Sequence, residues 1–108
     1  MPTFAVAAKY TSEALAAVRK AGFASREPMM KSMAEQFGGK MLVVYWPASP
    51  DWDFVVIADL PNADDAYALM SFSSATGSFS RCQATQLLSS AEADAAIARQ
   101  LNWTPPGP

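Results

Sequence analysis

The residues best suited to chemistry gather in and around Trp-Pro-Ala-Ser-Pro-Asp-Trp-Asp, residues 46–53. Asp53 follows an indole, and aromatic walls that disfavour its charge would make it a proton acceptor with a raised pKa. Arg81 offers a bidentate grip on a carboxylate or enolate, and Lys9 adds a second cation. Tyr10, Tyr45, Trp46 and Trp52 supply apolar walls. Small-molecule pockets are built this way, from apolar walls with a few polar groups that fix orientation. A plainer account competes with it. Asp53 pairs with Lys9 or Arg81 because a charge taken out of water needs a partner, and the tryptophans fill one end of the fold and a subunit seam. Asp53 is the candidate catalytic group only under the first account.

Several chemistries are disfavoured at once. The chain has no histidine, which removes the commonest general base, metal ligand and haem ligand. Its carboxylates show no metal-binding spacing, so neither a metal nor another cofactor is expected. Cys82 is the single cysteine. It has no histidine to activate it and no partner for an internal disulfide, which fits a reducing cytoplasm. The stretch at 72–80, FSSATGSFS, lacks the lysine and the spacing of a phosphate-binding loop. A net charge of −2 with no basic block makes nucleic acid and anionic membrane poor partners. The start has no charged leader and no apolar run of membrane-spanning length, so neither a signal peptide nor a span is expected. Pro2 would offer a free prolyl amine of the kind tautomerases use if Met1 were removed, but the order of motifs fits that class poorly.

Those groups must be positioned by short elements. Residues 3–10 alternate around Phe4, Val6, Ala8 and Tyr10 and read as a first strand. Thr11 or Ser12 caps a helix that stops at Gly22; Ser25 is placed to cap the next, with Pro28 in its first turn and Met29, Met33 and Phe37 along one side. The methionines are expected in the core or at a seam. Residues 40–46 and 53–60, rich in β-branched and aromatic side chains, form a hairpin around the opening stretch. Asn62 and Asp65 start a third helix, 78–88 is a fourth strand, and Ser89 with Glu92 opens a last helix through about Leu101.

The resulting order, βαββαβ plus a final helix, predicts an α+β, ferredoxin-like sandwich with helices on one sheet face. It occupies residues 1–103, followed by a tail at 104–108 expected to be mobile. Strands one to three carry apolar residues on both side-chain parities, and an antiparallel sheet with two apolar faces wants a second layer. A second copy is the economical source, which predicts a homodimer with sheets face to face. The expected partners are the protein itself and a small anionic or aromatic ligand. In this topology the end of strand one lies beside the starts of strands three and four. That draws the candidate residues toward one end of the sheet, with Phe79 beside Arg81.

Three stretches carry a family resemblance: MPTFAVAAKYTSEAL at the start, GGK at 38–40 leading to Tyr45-Trp46, and DWDFVVIADLP at 51–61. Taken in order over roughly residues 1–95, they resemble the GYD domain family of small, mostly bacterial dimeric α+β barrel proteins. The name-giving Gly-x-Tyr-Asp element falls at Pro50, Asp51, Trp52 and Asp53, where the aspartate matches and tryptophan replaces tyrosine. The resemblance implies architecture and a homodimer. It carries no agreed activity, leaving a structural or small-molecule-binding module as the first expectation. Relatives on the wider fold include cofactor-free monooxygenases, so an enzyme acting on an enolisable or aromatic molecule is the alternative.

Overall fold

The computed structural model describes residues 1–107; Pro108, the last residue of the expected tail, lies outside the described residues. Its elements run β1 (Thr3–Tyr10), α1 (Ser12–Ala21), α2 (Glu27–Gln36), β2 (Lys40–Tyr45), β3 (Phe54–Asp59), α3 (Ala63–Ala75), β4 (Phe79–Leu87) and α4 (Ser90–Ile97), with a single 3₁₀ turn at Phe23–Arg26. The four strands form one antiparallel sheet in the order β2-β3-β1-β4. This is the split βαβ arrangement of a ferredoxin-like α+β fold.

Local chemistry accounts for most boundaries. Thr11 caps α1, its hydroxyl accepting from the Ala14 N–H, and Gly22 ends the helix at φ 95°, a conformation glycine adopts without a side-chain clash. Ser25 does not cap α2. Its hydroxyl donates to the Gly22 carbonyl at 2.5 Å, inside the 3₁₀ turn, so Arg26 occupies the cap position without a side-chain bond. Asp65 accepts from the Asn62 N–H at 2.9 Å at the start of α3. Ser89 and Glu92 exchange reciprocal bonds at the start of α4. That last helix stops at Ile97, short of Leu101.

The sheet buries one face. Phe4 and Ala8 on β1, Phe54, Val56 and Ala58 on β3, and Leu60 just beyond are all buried. Strand alternation puts these even-numbered residues under the helices. Val18 of α1, Ala34 of α2 and Ala66 of α3 close over them. The opposite face carries Ala5, Ala7, Val43, Val55 and Ile57 at its centre, all half-buried with no layer of the described residues above them. Polar groups border it, among them Thr3, which donates to Asp59 at 2.5 Å.

Two register shifts bend the edges. One lies between Met41 and Val43 and leaves Leu42 exposed; the other, between Lys9 and Tyr10, pairs Tyr10 with Phe79 and skips Ser80. The GGK segment before β2 has a steric cause. Gly38 has φ 80°, and a Cβ on Gly39 would overlap the Asp59 carbonyl oxygen and press on Leu60.

The final helix leaves the body. Only Ala93 in α4 is even half-buried, and Ile97, Leu101 and Trp103 are among the most exposed large apolar side chains. The radius of gyration, 17.0 Å, reflects that projection, since a compact chain of about 100 residues has roughly 13 Å. No helix among the described residues is long and apolar enough to cross a membrane.

Candidate functional site

The 46–53 loop is strapped to the sheet by its last residues. Phe54 is the last β3 residue paired with β1, opposite Ala8. Asp53 extends that ladder one step. Its N–H donates to the Ala8 carbonyl at 2.8 Å, and its carboxylate accepts from the Tyr10 N–H at 2.7 Å. The second bond is short and charge-assisted, and it satisfies a backbone donor that the strand no longer reaches. The Lys9 ammonium stands 3.8 Å from the other carboxylate oxygen. With Lys9 36% exposed, that pair is a minor contributor beside the backbone bonds.

Arg81 fastens the other side of the loop. Its guanidinium lies over the Trp52 ring, 4.5 Å from the centroid, and donates to the Asp51 carbonyl. Lys9, Trp52, Asp53 and Arg81 therefore do converge. What they build is a clasp of satisfied partners near the solvent.

The remaining candidates are elsewhere. Tyr45, 68% exposed, belongs to the parity of the open sheet face. Trp46 packs on Phe23 and Phe54, with centroids at 4.8 and 5.8 Å, at the helix-covered side of the hairpin. Tyr10 follows Lys9 in sequence but faces the helices. It is buried, stacked on Phe79 at 5.1 Å and tilted against Phe54 at 5.5 Å. The sheet thus divides the candidates between two faces.

Tyr10 leads into a cleft of about 570 Å³ between the helices and the sheet. Val6, Ala8, Phe54, Val56 and Cys82 form its floor. Met29, Met30 and Met33 of α2 line one wall, and Leu69, Met70 and Phe72 of α3 the other. Its origin is legible in residue size. Ala8, Ala14, Ala17, Ala34 and Ala58 all line it, and small side chains on facing layers leave space unfilled. The volume falls within the range of small-molecule sites, and the lining is mostly apolar.

Polar groups enter this cleft from Tyr10, Ser25, Arg26, Ser73, Thr76 and Ser78. Burial pushes the Tyr10 phenol above its ordinary pKa, partly offset by the nearby Arg26 guanidinium, which favours the phenolate. Burial likewise raises the Cys82 thiol, partly offset by the nearby Ser74 hydroxyl. Sequence reasoning did not single out Arg26. Its signal was weak, a lone arginine between two helices. The methionine run at 29, 30 and 33 was the better clue, since three flexible side chains at helical spacing suit an adaptable wall as well as a packed core.

A ferredoxin-like α+β domain with an apolar cleft under its helices and a clasped hairpin loop at one sheet end is the class these features define. Within that class, the GYD domain profile matches residues 4–97. The chain belongs to the GYD domain family. No curated protein and no solved structure matches it.

Proposed function

We propose that this protein is a homodimeric small-molecule-binding module that takes its ligand into the cleft between helices and sheet. The observation that carries this reading is the 570 Å³ cleft itself, walled by methionines and floored by aromatic and aliphatic side chains. A cavity lined this way gains free energy by trading water for an apolar guest. Binding is favoured over catalysis because Asp53, the carboxylate best placed in sequence to move a proton, is engaged by the Tyr10 N–H and by Lys9. The reading places the protein in the cytoplasm, in keeping with its one unpaired cysteine.

The homodimer is supported by the open sheet face. Ala5, Ala7, Val43, Val55 and Ile57 form an apolar centre with Thr3, Lys9, Asp59 and Arg81 around it. That is the usual anatomy of a subunit interface, apolar inside and polar at the rim. The projecting α4, with Ile97, Leu101 and Trp103 exposed, gives the second copy a further apolar surface to cover.

One experiment tests both halves. Binding of the neutral, environment-sensitive dye Nile red is measured for the wild type, for Ala34→Trp, which fills the cleft, and for Ile57→Glu, with the mass of each from sedimentation equilibrium. The reading expects a wild-type dimer that binds dye, weakened binding by a still-folded Ala34→Trp protein, and a monomeric Ile57→Glu protein. A monomeric wild type, or dye binding indifferent to the tryptophan, overturns the corresponding half.

A further inference from the structure

The cleft is apolar but not neutral. Arg26 lines it, and neither an aspartate nor a glutamate does. The single ion pair among the described residues joins Lys9 to Asp53 on the other side of the sheet, so Arg26 has no carboxylate of the described residues within ion-pair distance. The other polar residues that line the cleft, Tyr10, Ser25, Ser73, Thr76 and Ser78, carry uncharged hydroxyls. A guanidinium half-buried among methionines and aromatic rings has lost part of its hydration without gaining a counter-ion.

We infer that the cleft selects an apolar monocarboxylate, with its carboxylate on Arg26 beside the Tyr10 hydroxyl and its apolar body over Phe54 between the methionine walls. This rests on the cleft being the binding site. The charge count sets the class. One guanidinium neutralises one carboxylate, whereas a dianionic phosphate ester would bring a second charge into a lining that has no other cation. The Tyr10 hydroxyl, protonated at neutral pH as any phenol is, is a donor for the same carboxylate. The body of the ligand is set by the remainder of the lining. Tyr10, Phe54 and Phe79 make mutual aromatic contacts at 5.1–5.9 Å, a firm floor for a ring or chain. Met29, Met30, Met33 and Met70 above it repack around varied shapes.

The test uses matched pairs that differ only in charge: octanoic acid against octanamide, and 4-phenylbutyric acid against its primary amide. Their affinities are measured by displacement of Nile red from the wild type, Arg26→Gln and Arg26→Lys proteins. The inference expects the acids to bind wild type roughly tenfold or more tightly than the amides, the scale of a charge-assisted contact. It expects that preference to vanish in Arg26→Gln and to return in part in Arg26→Lys. Retained dye binding reports that each variant is folded with its cleft intact. Acids and amides binding alike, or a preference untouched by Arg26→Gln, overturns the monocarboxylate inference and leaves the cleft as a binding site. Failure of acids, amides and Nile red alike overturns both.

Discussion

The Asp53 carboxylate accepts from the backbone N–H of Tyr10 at 2.7 Å, so a side chain of the hairpin loop completes a strand ladder that the loop's backbone leaves unfinished. The same residue closes the preceding rung through its own N–H to Ala8. A carboxylate committed to a backbone donor is a positioning group. Its effect reaches the cleft through Tyr10, whose ring is the neighbour of Phe54 and Phe79.

Removal of that carboxylate is therefore expected to cost stability. Asp53→Ala leaves the Tyr10 N–H without its partner and lowers unfolding free energy by about 1–3 kcal/mol. Asp53→Asn keeps an oxygen acceptor and loses less. Urea denaturation of the three proteins measures the order. Nile red binding changes little in Asp53→Asn; its complete loss in a folded Asp53→Asn protein would instead assign the carboxylate to the binding site.

Arg81 and Trp52 form the other half of the clasp, with the guanidinium 4.5 Å from the ring centroid. A double-mutant cycle with Arg81→Ala and Trp52→Ala is expected to give a coupling energy of about 0.5–1 kcal/mol, the range of an exposed cation–π contact. Single-mutant effects that simply add would show that the stacking contributes nothing to stability.

The GGK segment yields a sharper expectation. At Gly39 an added Cβ meets the Asp59 carbonyl oxygen, which is backbone and cannot swing aside. Gly39→Ala should lower stability by about 1–3 kcal/mol, as overpacking does. A variant as stable as the wild type would mean that the β2 entry shifts freely.

The sequence made the fold readable because its signals are local. Thr11, Gly22, the Ser89–Glu92 box and the alternation of β1 each act over a few residues, and each sits where those signals placed it. The convergence of Lys9, Trp52, Asp53 and Arg81 was likewise legible, because antiparallel pairing fixes which strand ends meet. Which face each side chain takes was not. The shift between Lys9 and Tyr10 is set by long-range pairing with β4, and it decides that Phe79 joins Tyr10 under the helices. The cleft was hidden for a related reason. It arises where small residues from four separate elements face one another, and nothing at Ala8, Ala14, Ala34 or Ala58 taken singly announces a space.

Cys82 reports on that space chemically. Burial raises its thiol above the ordinary value, so it carries less thiolate than a free cysteine at the same pH. Alkylation by iodoacetamide is expected to run well below the rate for the urea-unfolded chain, and to slow further when an apolar ligand fills the cleft it lines. Folded and unfolded protein labelling at equal rates would place the thiol in open water.

Tyr10 couples the cleft to pH. In the unfolded chain its phenol ionises near pH 10, while burial in the fold holds the proton to higher pH, against the pull of Arg26. A group with a raised folded pKa contributes stability that is fully present below the unfolded value and is lost as pH rises through the folded one. The wild type should therefore lose stability more steeply above about pH 10 than Tyr10→Phe, which has no proton to lose. Denaturation midpoints taken at intervals from pH 8 to pH 11 measure the difference, because the other titrating groups are common to both proteins. Arg26→Gln supplies the complement. Without the guanidinium that favours phenolate, Tyr10 should ionise at still higher pH, followed by phenolate absorbance against the same variant carrying Tyr10→Phe. Parallel stability curves for wild type and Tyr10→Phe would show that water reaches the phenol as freely in the fold as outside it.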